Sequence, residues 1–120
     1  NRSGEGKGVG DLGSVYNYLG QYKEALSCFE KSIEICREIG NRRGEGTQLG
    51  SMGLVYKDLG DYEKAISCFE KSIEICREIG NRRSEGIHLG NMGDCLILLG
   101  QLDKAAESLV LSINICNCLL

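Results

Sequence analysis

Apolar side chains recur along the chain at the spacing of α-helices. In residues 22–39 they form two neighbouring stripes, which predicts a helix that is buried on two sides. The first stripe holds Tyr22, Leu26, Phe29, Ile33 and Cys36, and the second holds Ala25, Cys28, Ser32, Ile35 and Ile39. The remaining positions carry charges of both signs and predict a solvent-exposed face. Gly40 follows this helix at the position of a left-handed cap, and Asn41 can cap the helix that comes next.

The residues before each such helix form another helix with a weaker pattern. Its apolar stripe holds Leu49, Met52, Tyr56 and Leu59, and an earlier stripe of the same kind holds Val9, Leu12, Tyr16 and Leu19. Three glycines share one face of this helix, at Gly46, Gly50 and Gly53. Each interior glycine costs a helix about 1 kcal/mol relative to alanine, so we expect another helix to approach closely there. The short link Gly60–Asp61 then turns the chain back and predicts an antiparallel helical hairpin.

This hairpin is repeated three times. The 120 residues divide into repeats 1–40, 41–80 and 81–120, which align without a gap and begin NRSGEG, NRRGEG and NRRSEG. Residues 27–40 and 67–80 are identical. A period of this length is typical of helical repeat proteins. The sequence therefore predicts an all-α fold, an α-solenoid of three helical hairpins in a single array over 1–120. Because the chain starts and stops at repeat boundaries and lacks an initial Met, we expect it to be a fragment of a longer array.

The middle repeat resembles a tetratricopeptide repeat (TPR). The residues that carry the resemblance are Leu49, Met52-Gly53, Tyr56, Leu59-Gly60, Tyr62, Ala65 and Phe69. The third repeat departs from the pattern at Leu96, Leu102 and Leu109. A 40-residue period is similar to that of the Pins-type G-protein signalling modulators. The resemblance implies a right-handed superhelix in which the first helix of each hairpin, helix A, lines a concave groove for an extended or helical peptide.

The same resemblance implies which side chains face the groove. They are Lys7, Asp11, Ser14, Asn17, Tyr18, Thr47, Ser51, Leu54, Lys57, Asp58, Ile87, Asn91, Asp94, Ile97 and Leu98. The Pins-type proteins are rich in Asn and Arg at such positions, which suits acidic peptides. Here only Asn17 and Asn91 match, while Lys7, Thr47 and Ile87 stand at the Arg position. The resemblance thus implies a protein or peptide partner without specifying that ligand class.

Charge and hydropathy exclude two other kinds of partner. The chain has 14 Lys and Arg against 17 Asp and Glu, a net charge of −3, so we expect no nucleic acid partner. No apolar stretch is long enough to span a bilayer and no polybasic patch is present, so we expect no membrane partner.

The candidate chemistry is sparse. The glycine-rich segment 4–10 lacks the Ser or Thr that a phosphate loop needs after Lys7. Five of the seven cysteines recur on apolar stripes and Cys95 replaces a valine, which predicts buried structural thiols, Cys116 among them. His88 is the only histidine, so no Cys–His pair or zinc site is predicted. We therefore expect no catalysis, no metal and no cofactor. An odd cysteine count without disulfide spacing predicts a reducing compartment, the cytoplasm.

The third repeat differs from the others on its second helix. Glu30, Lys31 and Glu38 of the first repeat become Val110, Leu111 and Cys118, so a charged surface turns apolar. Apolar outer faces need cover. We predict a homodimer through residues 106–120, with its interface at Val110, Leu111, Asn114, Cys118 and Leu119. A contact with a following segment and a merely degenerate last repeat remain open.

Three functions follow in order of preference. The first is a non-enzymatic scaffold that binds a partner peptide or helix in its groove. The second is homo-oligomerisation through the C-terminal hairpin. The third is a ligand- or metal-responsive sensor that uses Lys7 or the cysteines.

Overall fold

The fold consists of six α-helices. A computed structural model of the chain describes residues 1–119, without the side chain of Leu119, and contains no strand in that range. The helices are α1 (Arg2–Tyr18), α2 (Tyr22–Glu38), α3 (Arg42–Asp58), α4 (Tyr62–Ile79), α5 (Arg82–Leu98) and α6 (Leu102–Leu119). We call α1, α3 and α5 the A helices and α2, α4 and α6 the B helices. Each A helix packs on the B helix that follows it, and α2 and α4 also pack on the next A helix. The all-α solenoid of hairpins is therefore confirmed.

Local chemistry sets the ends of these helices as the sequence predicts. Each turn between helices contains one glycine with a φ of 71° to 80°, a left-handed conformation that side chains with a Cβ rarely adopt. At the first turn the N–H of Gln21 donates to the carbonyl of Tyr16 at 2.8 Å, which is the hydrogen bond of a Schellman cap. The A helices begin after Asn1, Asn41 and Asn81, whose side chains accept a backbone hydrogen bond three residues further on.

Glycines bring the two helices of a hairpin together. A Cβ on Gly46 would lie 3.0 Å from Cγ2 of Ile75, and one on Gly53 would lie 2.6 Å from the ring of Phe69. The close approach also allows Oγ of Ser72 to donate to the carbonyl of Gly46 at 2.7 Å. The equivalent serines of the other hairpins, Ser32 and Ser112, make the same bond at 2.8 Å. The expected helix contact at these glycines is confirmed.

The core lies at the junctions between hairpins. One cluster joins Phe29 and Ile33 of α2 to Leu49 and Val55 of α3. A second cluster joins Phe69 and Ile73 of α4 to residues of α5 and α6, namely Leu89, Cys95 and Ile115. Each hairpin thus buries its apolar faces against its neighbours, as repeat proteins do.

Ion pairs tie the hairpins together from a face that the sequence predicts to be simply solvated. Nε of Arg37 lies 2.9 Å from a carboxylate oxygen of Glu45, whose side chain is only 7% exposed, and Nη1 of Arg42 approaches the other oxygen at 2.9 Å. Burial alone would raise the pKa of Glu45, but the hydrogen bonds and charges of both arginines outweigh it and lower the pKa. Arg77 repeats the contact with Glu85 at 2.8 Å. The prediction for this face is corrected, because its arginines reach the next A helix.

The cysteines divide into two environments. Cys36, Cys68, Cys76 and Cys95 are buried and Cys28 is half-buried, but Cys116 and Cys118 are exposed. Burial raises the pKa of Cys36, Cys68, Cys76 and Cys95. The prediction that Cys116 is buried is wrong. Its equivalents Cys36 and Cys76 are covered by the following hairpin, whereas α6 has no such cover within residues 1–119.

Candidate partner-binding surfaces

The two faces of the stack differ in how closely their helices approach each other. Successive A helices contact each other, because α3 contacts both α1 and α5. Successive B helices make no such contact in residues 1–119, neither α2 with α4 nor α4 with α6. Clefts of about 640 Å³ and 520 Å³ open between successive B helices instead. The A helices therefore form the narrow inner side of the stack and the B helices form the outer side.

Most of the groove residues that the resemblance implied are solvent-accessible on the A helices. The exposed ones are Lys7, Asp11, Ser14, Tyr18, Thr47, Leu54, Asp58, Ile87, Asp94, Ile97 and Leu98, and the half-buried ones are Asn17, Ser51, Lys57 and Asn91. Spacings of three, four and seven residues place three groups of four on one face of α1, α3 and α5 respectively. These groups are Lys7, Asp11, Ser14, Tyr18; Thr47, Ser51, Leu54, Asp58; and Ile87, Asn91, Asp94, Leu98. Four large apolar members of this face stand in the solvent, namely Tyr18 (92%), Leu54 (40%), Ile87 (55%) and Leu98 (57%).

One part of this face is a small cleft of about 190 Å³ between α3 and α5. Thr47, Ser51 and Leu54 line it together with Arg43 and His88. The His88 ring packs over Gly50 and stacks on Phe69 at a centroid distance of 5.9 Å. Burial lowers its pKa, and Nδ1 has no hydrogen-bond partner in the described structure. Sequence reasoning did not place Arg43 and His88 in this cleft. Arg43 lies four residues before Thr47 on α3, so helical spacing could have found it. His88 reaches the cleft from α5, and spacing along one helix could not show that contact.

Asn17, Lys57 and Ile97 occupy a different position on their helices. A 3.6-residue turn places them about 80° from the groups of four. Nζ of Lys57 is 3.3 Å from a carboxylate oxygen of Asp94 on α5, so this side chain spans two A helices instead of standing free in the groove. The side-chain oxygen of Asn17 is buried and has no hydrogen-bond partner among the described residues.

The residues of the predicted oligomer interface whose side chains are described span an arc of about 100° around α6. Val110, Leu111, Asn114 and Cys118 are all exposed, whereas the side chain of Leu119 lies outside the described residues. Leu111 faces α4 across the larger outer cleft, whose lining includes Ile66 and Met92. Val110 precedes it by one residue, which turns it about 100° away.

A further apolar surface of α6 was missed by sequence reasoning. Leu102 is 63% and Ile113 is 58% exposed, and Ala106 and Cys116 are exposed beside them. Their equivalents Tyr62, Ile66, Ile73 and Cys76 on α4 face α5. The signal was available, since these positions form the apolar stripe that packs forward in the first two repeats. These positions stay apolar in all three repeats, so the residues that change between repeats do not reveal them.

The described residues offer little other chemistry. Residues 4–10 lie within α1, with Gly6 packed against Ile35 and Gly10 against Gln48, so this segment forms no phosphate loop. No group of three or more His, Cys, Asp or Glu side chains in residues 1–119 could hold a metal ion. None of the six helices, as far as they are described, has the length and hydropathy needed to cross a membrane.

Comparison with known proteins agrees with this geometry. A tetratricopeptide repeat family model matches residues 45–117, and another matches residues 10–39. The TPR domain of Arabidopsis FLU superposes with a TM-score of 0.90 at 17% identity, over 98% of this chain and 99% of that domain. The apo form of RapI superposes with a TM-score of 0.90 at 22% identity, over 96% of this chain and 32% of that protein. The N-terminal domain of stress-induced protein-1 from C. elegans gives 0.84 at 17% identity, over 96% and 87%. No curated protein matches the sequence.

Stacked helical hairpins with an inner row of A helices define an α-solenoid. The family match covers more than half of the chain, and the chain belongs to the tetratricopeptide repeat family. This repeat is a protein-interaction module, which makes the chain a scaffold for protein–protein contacts.

Proposed function

We propose that the chain binds a partner peptide or helix in the groove across α1, α3 and α5. The observation that supports this most is the row of exposed Tyr18, Leu54, Ile87 and Leu98 on the inner face. Single exposed apolar side chains are common on protein surfaces, whereas several on one face mark an interaction site. A ligand that covers this face would remove all four side chains from water. Their neighbours are charged or polar, so the ligand would combine apolar anchors with hydrogen-bonding groups.

The charges of the groove favour an apolar anchor over an acidic motif. Lys7 pairs with Asp11 at 2.9 Å and Lys57 pairs with Asp94 at 3.3 Å, so these cations already have partners. Arg43 lines the small cleft and makes no ion pair in residues 1–119. We propose, from the 40-residue period, that the chain is related to the Pins-type modulators. Its ligand would differ from an acidic peptide and would contact Leu54 and Leu98 with side chains such as Leu or Phe.

Selection from a displayed peptide library tests this proposal. Selected peptides are titrated against the chain by fluorescence anisotropy, and then against a variant with Tyr18→Ser, Leu54→Ser and Leu98→Ser. We expect at least a tenfold loss of affinity, because each substitution removes an exposed anchor without touching the core. Glu34→Ala and Glu74→Ala on the outer B helices provide the matched control and should leave affinity unchanged. Equal affinity for the groove variant and the wild type would refute groove binding.

A second candidate function is homo-oligomerisation through the C-terminal hairpin. It is favoured by the exposed apolar side chains of α6, which include Leu102, Val110, Leu111 and Ile113. Light scattering across a concentration series tests it. We expect the mass to rise with concentration. Val110→Glu with Leu111→Lys tests the predicted interface residues, and a smaller rise in this variant would assign the contact to them. A chain that stays monomeric at high concentration would exclude this function.

We also propose a cytoplasmic location. All seven cysteines are free in the structure, five of them at least half-buried on helix faces that pack between hairpins. A reducing compartment would keep such thiols in this form. Localisation of a fluorescent fusion checks the proposal, and a secreted or organellar signal would contradict it.

A further inference from the structure

The two ends of the stack expose the two halves of the contact that joins its hairpins. Within the chain, α2 packs on α3 and α4 packs on α5. In residues 1–119, α1 has no preceding B helix and α6 has no following A helix. The residues that make the internal contacts are nevertheless present at both ends, where the described structure holds no neighbouring helix.

The α6 end repeats the B-helix half of the contact. Ile33 and Ile73 are each 4% exposed beneath the next hairpin, whereas the equivalent Ile113 is 58% exposed. Cys116 is exposed in the same way, although Cys36 and Cys76 are buried. The same residue types thus occupy the same helical positions without cover. We call this surface, formed by Leu102, Ala106, Leu109, Ile113 and Cys116, the α6 end face.

The α1 end repeats the A-helix half of the contact. Val55 and Cys95 are completely buried under the preceding B helix, whereas the equivalent Val15 is 54% exposed. Leu12 is 45% exposed, against 7% for Met52 at the same position of α3. We call the surface formed by Val9, Leu12, Val15, Tyr16 and Leu19 the α1 end face.

We infer that the α6 end face of one copy binds the α1 end face of a second copy, as α4 binds α5 within the chain. This names the partner surface for the oligomerisation proposed above and rests on that second candidate function. The internal junctions supply the template, because the contact is already made twice between equivalent residues. Gln48 and His88 occupy one position of the repeat, and each packs on a glycine of the preceding A helix. At this position α1 has Gly8, so no side chain of α1 blocks the approach of a second copy there.

Such a contact is head-to-tail, and this has a consequence for the assembly. A surface that binds a different surface of the next copy leaves one face of each kind free at the ends. The assembly therefore grows by addition of copies and does not stop at two. A symmetric dimer through α6 would instead use the same surface twice and stop there.

The new contact lacks the ion pair of the internal ones. Arg37 reaches Glu45 at 2.9 Å and Arg77 reaches Glu85 at 2.8 Å, each from a B helix to the next A helix. At the same positions the two end faces carry Asn117 and Glu5. The contact between copies is therefore apolar, its Glu5 carboxylate pairs only within its own copy, and the contact is weaker than an internal junction. Restoring the arginine offers a test by gain of affinity.

Sedimentation velocity on single and mixed variants tests the direction of the contact. Val15→Glu places a charge on the α1 end face and Ile113→Glu places one on the α6 end face. Each variant alone should stay monomeric, whereas an equimolar mixture should form heterodimers and nothing larger. In the mixture the only intact pair is the α6 end face of the Val15→Glu variant and the α1 end face of the Ile113→Glu variant. Formation of the heterodimer also shows that both variants are folded.

Two outcomes overturn the inference and separate it from the function on which it rests. If Val15→Glu still associates while Ile113→Glu does not, the dimer is symmetric through α6 and oligomerisation stands without the head-to-tail contact. If the wild type remains monomeric at every concentration reached, both the inference and the second candidate function fall.

Asn117→Arg then tests the register of the contact. It should tighten association about tenfold, the factor expected of one added charge-assisted hydrogen bond. Glu5→Gln in the same chain should cancel the gain, because the new arginine loses its acceptor. Asn114→Arg is the matched control, since its equivalents Glu34 and Glu74 make no ion pair in residues 1–119, and it should leave association unchanged. A gain that persists with Glu5→Gln would overturn the proposed register.

Discussion

The internal junctions and the ends of this stack contain nearly the same residues in opposite environments. Ile73 on α4 is 4% exposed and Ile113 on α6 is 58% exposed, although both stand at one position of the repeat. Val55 and Val15 differ in the same direction. Burial in a solenoid is therefore set by the neighbouring hairpin and not by the residue itself. An apolar stripe in one repeat specifies half of a contact, and the other half must come from the next repeat or from another molecule.

The acidic residue at the start of each A helix shows the electrostatic side of this difference. Glu45 and Glu85 receive an arginine from the preceding hairpin and are nearly inaccessible, with exposed side-chain fractions of 7% and 3%. Glu5 has no preceding hairpin in the structure, is 42% exposed and pairs with Arg2 of its own helix. The carboxylate that is structural at a junction is thus a surface charge at the end.

Thiol labelling should show the largest contrast between junctions and ends. At concentrations where the chain is monomeric, Cys116 and Cys118 should react with iodoacetamide about a thousandfold faster than Cys36 and Cys76. The buried thiols react only after an opening that costs several kcal/mol. Mass spectrometry of tryptic peptides reads the difference, since Cys36 and Cys76 share the sequence SIEICR and are read together. Equal rates would mean that the hairpins do not stay stacked.

Alanine substitution at equivalent isoleucines should give the next largest contrast. Ile73→Ala should lower the free energy of unfolding by about 2–5 kcal/mol, because it leaves a cavity in the cluster with Leu89 and Cys95. Ile113→Ala should cost less than about 1 kcal/mol in the monomer, because water already surrounds this side chain. Urea unfolding at low protein concentration measures both. Comparable losses would show that the α6 end face is covered in solution even in the monomer.

The part of this fold that sequence could predict is the part that local chemistry determines. Helix ends followed from glycine and asparagine caps, and the close helix contacts followed from glycines such as Gly53. The tie between Arg37 and Glu45 could not be predicted from helical spacing, because it crosses a turn and depends on how two hairpins pack. Val110 and Leu111 were assigned to one interface because both replace charges, and that assignment stays a prediction. The groove residues came from family resemblance, and their role stays a prediction.

Removal of the buried charge should distinguish the junction acid from the end acid. Glu45→Gln should lower the free energy of unfolding by about 1–3 kcal/mol, since two arginines lose a charged acceptor. Glu5→Gln should change it by no more than about 0.5 kcal/mol, as is usual for exposed pairs. Urea unfolding at neutral pH compares the two. An equal and small effect would mean that the arginine contacts at Glu45 contribute little to stacking.

The pH dependence of unfolding tests the same contact without relying on substitution alone. The pKa of Glu45 is lowered in the folded chain, so its contribution is present above the ordinary glutamate pKa of about 4.3 and is lost as the pH falls below it. The wild type should therefore lose stability in acid more steeply than Glu45→Gln does. Parallel curves for the two chains would contradict a lowered pKa.

His88 should produce the smallest effect, in a separate pH range. It and Gln48 occupy equivalent positions, where each packs on a glycine of the preceding A helix, so His88→Gln copies a side chain that the fold already accepts. Burial lowers the pKa of His88 in the folded chain. Below the ordinary histidine pKa of about 6.5, the unfolded chain binds a proton that the folded chain does not, and stability falls as the pH drops towards 5. We expect His88→Gln to remove this slope and to leave the acid transition of Glu45 in place. Unfolding curves at pH 7.5 and 5.5 measure how much the free energy of unfolding changes with pH in each chain. The same change in His88→Gln as in the wild type would show that the His88 ring stays accessible to protons between α3 and α5.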